Sequence, residues 1–374
     1  MSYQQLKKPK FYIDMMSFFH AVGHTDYFKS VSGQLGTGPD GFTHTLKGVT
    51  EDLLYLNPIN LLTHNMLNTN DLFVKYSHND WSAGSAAHLF PKFDIDFYAL
   101  LNHNFGKIQI NVGYKDFYGA SIYFGSDLNF DYDMSINNNY DVPFDFNGFS
   151  LGKLENRLMV DHIGEFFIEM KMEGVDVNTN ILQRYLGSFM LGHIWSPPHN
   201  PHLKATIRRK FDGIKSKKTQ AGYTRSDISY IGSELWAGRN PFEQWNYEDG
   251  FEPDILNMII EDEKANSGQR GRRSWKLTWD NINDTDMFGE LEQSNNILNI
   301  VDTNINNPFL ENDTFISKVW TPTLGGSLPF MFQIDDSNMN PDQFVIARFK
   351  KHSLKLTSKA PNLYSFSVEI EEIY

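Results

Sequence analysis

From Arg272 to its end the chain alternates. Arg272-Arg273-Ser274-Trp275-Lys276-Leu277-Thr278-Trp279 opens the pattern. Phe315 to Trp320 then leads to the tract Thr323-Leu324-Gly325-Gly326-Ser327-Leu328-Pro329-Phe330-Met331-Phe332-Gln333. Phe344-Val345-Ile346-Ala347-Arg348-Phe349 and Leu363-Tyr364-Ser365-Phe366-Ser367-Val368-Glu369-Ile370 complete it. Side chains along a strand point to opposite faces in turn, so apolar residues at every second position mark half-buried strands. Turn-forming residues separate these segments, as antiparallel strands require. Nothing in the stretch has the make-up of an enzyme centre; it reads as architecture.

The rest of the chain supports the same class. Thirty Phe and seventeen Tyr favour sheet over helix. Asn, Asp, Gly and Ser punctuate the sequence at short intervals, as sandwiches demand. The expectation is an all-β protein, mainly an antiparallel β-sandwich with a few short helices, in two β-rich domains. Earlier strands are expected at Lys107 to Tyr114, Ser121 to Gly125, Phe166 to Glu173 and Ser188 to Trp195. Phe11 to Val22 fits a short amphipathic helix or a strand leading into one, and residues 131–148 read as an exposed loop. The first domain is placed at 1–180, in a peripheral role, and the second at 181–374. A linker or insertion falls near 248–271, where Asp254 to Lys264 has the length for three helical turns.

With 374 residues, two or three domains fit. The formal net charge of −13 argues against a sequence-reading DNA-binding module, which would present a basic face. With no cysteine, disulfides, thiolate chemistry and cysteine-based zinc sites are excluded. The start, Met1 to Lys10, is polar and no run reaches the ~18 apolar residues of a membrane span. The expectation is a chain made in a cytoplasm and soluble until it meets a partner.

Several constellations invite chemistry. His193, His199 and His202 put three imidazoles close together, a possible zinc or nickel set. The intervening prolines impose an extended path, so the better reading is a rigid turn between strands. Asp280, Asp284 and Asp286 resemble a loose calcium loop but lack the glycine of an EF-hand, and Asx-turns explain them as well. Asp127, Asp131 and Asp133 raise the same idea and the same objection. No metal site and no cofactor is assigned. Gly-x-Ser-x-Gly, His-Glu-x-x-His and a P-loop are absent from the sequence.

Two stretches read as interfaces. Arg208, Arg209 and Lys210, with Lys215, Lys217 and Lys218, flank the turn signal Asp212-Gly213, a basic cluster in an acidic chain. It suits an acidic patch on a neighbouring subunit, or DNA in transit; the net charge favours the first. Gly325 and Gly326 permit positive φ, Pro329 holds its predecessor extended, and Phe330 starts a core strand. A sandwich corner accounts for this tract, with a subunit contact as the added hypothesis.

Several tracts resemble virion structural proteins of tailed bacteriophages, of the tail-associated kind. They are Gly192-His193 with Pro198-His199-Asn200-Pro201, Phe211-Asp212-Gly213-Ile214-Lys215, and Gly271-Arg272-Arg273-Ser274-Trp275-Lys276-Leu277. Leu324 to Phe330, Asn340-Pro341-Asp342-Gln343-Phe344 and the acidic end Tyr364 to Glu372 are similar too. The resemblance covers residues 187–374. It implies a non-enzymatic distal-tail, hub, tube or baseplate subunit in the virion that forms rings, commonly sixfold. Its partners would be its own copies, neighbouring tail or baseplate proteins, and DNA in transient passage. A head-fibre or receptor-binding adaptor that binds glycan is the alternative, and a glycan depolymerase the third reading.

Overall fold

The computed structural model describes residues 7–21, 29–30, 45–47, 50–57, 62–65, 71–77, 93–103, 107–115, 121–123, 136–141, 150–160, 165–173, 183–210, 214–228, 272–288, 313–338 and 343–373. The first half supplies β1 (Lys10–Asp14), β2 (Lys29–Ser30), β3 (Thr45–Lys47), β4 (Leu62–Asn65), β5 (Asp71–Ser77) and β6 (Phe93–His103). It continues with β7 (Lys107–Lys115), β8 (Ser121–Tyr123), β9 (Ile136–Asp141), β10 (Ser150–Val160) and β11 (Glu165–Glu173). The second half supplies β12 (Gln183–Trp195), β13 (Thr206–Lys210), β14 (Ile214–Lys218), β15 (Thr224–Ile228) and β16 (Arg272–Asn283). It ends with β17 (Phe330–Gln333), β18 (Phe344–Phe349), β19 (Leu356–Ala360) and β20 (Leu363–Glu372). The helices α1 (Met15–Ala21) and α2 (Asp284–Met287) are short, as are a 3-10 turn at Thr50–Leu54 and a π turn at Ile316–Trp320. The chain is all-β and mainly antiparallel with a few short helices, the class its alternation indicates. Among the described residues no helix is long and apolar enough to cross a membrane.

One sheet of twelve strands runs β10-β6-β12-β1-β17-β18-β20-β16-β13, with β19 on β20, β4 on β12 and β3 on β4. It takes strands from both sides of residue 180. The N-terminal β1 lies between β12 and β17, with Phe11 opposite Trp195 on one side and Phe332 on the other. A second sheet, β2-β5-β11-β7-β8 with β9 on β7, uses residues of the first half only. The segment at 248–271 lies outside the described residues.

The alternation explains the packing. On one face of the large sheet Phe11, Trp195, Trp275, Trp279, Phe330, Phe332, Phe349 and Phe366 form the main core. Phe11 sits among five rings at centroid distances of 5.2 to 6.3 Å. Trp279 and Phe366, neighbours across β16 and β20, stack at 5.0 Å and 15°. Each such pair adds about 0.5–1.5 kcal/mol beyond area burial. Tyr12, Phe97, Met190, Met331 and Ile346 form a second cluster. In β1 and β12 the intervening positions fill it, and β17 is buried at every position. Toward the other end, β16 and β20 keep alternation and leave one face polar.

The chain turns from the π turn into β17 through Leu324, Gly325 and Gly326, all at positive φ of 51°, 65° and 87°. A Cβ on Gly326 would stand 2.6 Å from Phe349 Cβ. Gly326→Ala therefore combines an unfavourable φ with overpacking and is expected to destabilise the fold by roughly 2 kcal/mol. A lowered urea midpoint at unchanged slope checks this, and an unchanged midpoint would mean that the corner yields freely.

Candidate functional site

The basic stretch supplies an edge strand and a separate two-stranded ribbon. β13 ends the large sheet, pairing with β16 through Thr206↔Lys276, Arg208↔Ser274 and Lys210↔Arg272. All five of its residues are exposed. Residues 211–213 follow, so the expected turn at Asp212 and Gly213 lies outside the described residues. Among the described strands β14 and β15 then pair only with each other, Lys217 facing Arg225 and Lys218 facing Thr224. From Ser216 to Ser226 every residue is exposed, Tyr223 at 79 %. Lys215 belongs to β14, opposite Asp227. Three registers set cation against cation: Lys210↔Arg272, Arg209↔Arg273 and Lys217↔Arg225. Like charges directly opposite one another destabilise a strand pair, and an isolated two-stranded ribbon is marginal in water. Glu372 relieves one of these pairs, holding the Arg273 guanidinium through Nε at 3.1 Å and Nη2 at 3.2 Å.

The histidine turn is pinned, and its rings take separate roles. His193 on β12 is buried and its Nε2 donates to the Lys318 carbonyl at 2.6 Å. Nδ1 of His199 donates to the Asn200 carbonyl at 2.9 Å, while the His199 carbonyl accepts from Trp279 Nε1 at 3.2 Å. The exposed His202 donates its backbone N–H to Thr278 at 2.7 Å, and its Nδ1 accepts from the Lys204 N–H. Asp280 lies within β16, and Asp284 and Asp286 follow its end, where Asp284 Oδ1 accepts the Thr285 N–H at 2.9 Å and Asp286 meets Asn283. Among the described residues no three His, Asp or Glu side chains gather as a metal site. Asp127, Asp131 and Asp133 lie outside the described residues.

At the glycine corner, Gly326 and Phe330 belong to the interior of the chain. Phe330 packs on Phe11 and Phe349. Pro329 is half-buried, and Leu324 (39 % exposed) and Ser327 are the residues that face outward.

Buried charges that the sequence expectations did not include are the pair Lys318 and Asp94, and Asp14. Lys318, on the π turn, is buried and ion-paired with the buried Asp94 of β6. Asp14, at the end of β1, accepts the N–H groups of Met16, Ser17 and Leu191 at 3.1 to 3.2 Å, and Ser17 Oγ lies against its second oxygen. It caps α1 and ties that helix to β12. Burial pushes its carboxyl up to about 6, against the lowering effect of those hydrogen bonds. Single charges inside apolar runs, Phe-Tyr-Ile-Asp-Met-Met and Phe-Ile-Ser-Lys-Val-Trp, are the signals that mark Asp14 and Lys318.

No family model matches the chain, and no curated protein matches it. Among solved structures, CpGH89CBM32-6 produced by Clostridium perfringens is similar at 9 % identity over 40 % of this chain and 90 % of that chain, with a TM-score of 0.21. At that score the likeness carries no argument.

Proposed function

We propose that this chain is a non-enzymatic structural subunit of a bacteriophage tail, of distal-tail, hub, tube or baseplate type, that works by joining copies of itself and neighbouring tail proteins. The tail assignment rests on the tracts of residues 187–374 that resemble tail-associated virion proteins. One observation supports an assembling role: β13 ends the large sheet with all five residues exposed, and the β14–β15 ribbon beyond it is exposed from Ser216 to Ser226. Such an edge and ribbon gain stability when a neighbour covers them.

Light scattering or mass photometry across a concentration series tests the reading. A closed ring of about six copies is expected. A trimer would favour the glycan-binding adaptor instead, and a monomer at every concentration counts against self-assembly.

A further inference from the structure

Three stretches far apart in sequence are basic, and their strand residues 206–210, 272–276 and 348–349 are joined through β20 on one side of the large sheet. Residues 204–225, 270–276 and 348–359 hold seventeen of the 33 Lys and Arg and one of the 46 Asp and Glu. That is a formal +16, which leaves −29 on the rest of the chain and returns the net −13.

Strand register brings much of this charge onto one face. Residues two apart on a strand share a face, and so do partners in register. Arg208 and Lys210 of β13 therefore lie on the same face as Arg272 and Lys276 of β16. Glu369 and Glu371 of β20 come next on that face, then Arg348 of β18. Glu371 takes Arg348 at 3.3 Å, and Glu369 takes Lys276 and Lys350 at 3.8 Å and Lys351 at 4.0 Å. Seven cations thus share a surface with two carboxylates. Arg208, Lys210, Lys276, Arg348, Lys350 and Lys351 are all exposed.

We infer that this basic face, together with the β14–β15 ribbon, docks on the acidic remainder of a second copy of the chain, in a head-to-tail contact held by charge. The inference rests on the self-assembly reading and names the surface and the symmetry. A two-fold contact through this face would set its seven cations, against only two carboxylates, opposite the same set, and like charges brought together across an interface cost several kcal/mol. A contact between two different surfaces sets it against the −29 remainder instead. Such contacts close into rings of more than two copies or run on as filaments. Carboxylates between the cations, and the exposed Tyr223 of the β14–β15 ribbon, suit a protein partner better than a phosphate backbone.

The test compares the full chain with the charge-reversed variant Arg208→Glu/Lys217→Glu and the neutral variant Arg208→Gln/Lys217→Gln, by mass photometry. Both substituted residues are exposed, and unchanged circular dichroism and melting temperature confirm folding. The wild type is expected to assemble, with its midpoint concentration rising about tenfold or more between about 50 mM and 500 mM salt. The neutral variant should assemble more weakly and the reversed variant remain monomeric. Added to wild type, the reversed variant should end chains and shorten the assemblies, because the acidic rest of its chain is unchanged.

Wild-type assembly insensitive to salt and to both variants overturns this inference and leaves self-assembly standing. One-to-one pairing of reversed variant with wild type that persists when wild type is in excess overturns the head-to-tail geometry. A wild type that stays monomeric removes both readings. If that monomer binds duplex DNA in a salt-dependent way that both variants lose, the face serves nucleic acid instead.

Discussion

Lys318→Met is expected to destabilise the fold by about 3–5 kcal/mol, the usual cost of leaving one partner of a buried ion pair unmatched. The pair joins the π turn to β6, and both side chains are almost wholly removed from water, at 1 % and 4 % exposure. Asp94→Asn is expected to act in the same direction, because it leaves the ammonium without its counter-ion. The pair itself need contribute little, since desolvating two charges offsets most of their attraction. The double variant Asp94→Leu/Lys318→Met is therefore expected to recover most of the loss. Urea unfolding of the four proteins checks the cycle. A single variant that loses less than about 1 kcal/mol would place Asp94 in contact with water and refute the buried-pair account.

The strands were legible because alternation is a local property that the core then enforces. Arg272 to Trp279 and Leu363 to Ile370 become β16 and β20, with Trp275, Leu277, Trp279, Phe366, Val368 and Ile370 turned into one core. Phe11 to Val22 resolves into a strand and then a helix because Asp14 supplies the cap where one ends and the other begins. The Asn-rich stretch within 131–148 read as loop, yet Ile136–Asp141 is a strand. Pairing with β7 satisfies its backbone whatever its side chains prefer. Lys318 was hidden for a related reason: its partner lies 224 residues away, and no local pattern encodes that. The basic face shows both limits. Its first stretch was visible as Arg208 to Lys218, but the cations that complete it on β16 and β18 join only through the register of β13, β16, β20 and β18. The same register explains why residue 180 marks no break in the large sheet. β1 is held on both sides by later strands.

Stability is expected to fall as the pH rises from about 4 to about 7, and Asp14→Asn is expected to flatten that slope. The geometry at Asp14 asks for one more proton than an ionised carboxylate brings. Ser17 Oγ lies against Asp14 Oδ2 and 2.6 Å from the Leu54 carbonyl oxygen, and a hydroxyl can donate only once. With Asp14 protonated, the acid donates to Ser17 and Ser17 donates to Leu54, so every contact is satisfied. With Asp14 ionised, Ser17 must leave one of the two acceptors facing a lone pair. Burial acts in the same direction and holds the folded carboxyl at about 6, against an ordinary 3.8. The sign follows. The folded state keeps the proton more tightly than the unfolded chain, so this contribution is complete below about 4 and is lost as the pH climbs through 6. Two units correspond to roughly 3 kcal/mol. An amide at this position accepts from Met16 and Leu191 through its oxygen and donates to Ser17 Oγ through its nitrogen at any pH, but that nitrogen then faces the Ser17 N–H and gives up one hydrogen bond. Asp14→Asn should therefore lie below the wild type near pH 4, by about the 1 kcal/mol of one lost hydrogen bond, and lose little further stability by pH 8, by urea midpoint at each pH. A variant with the wild-type slope would place the titration elsewhere, and one whose deficit grows as the pH rises would show that the carboxylate, not the acid, is what the junction between β1, α1 and β12 requires.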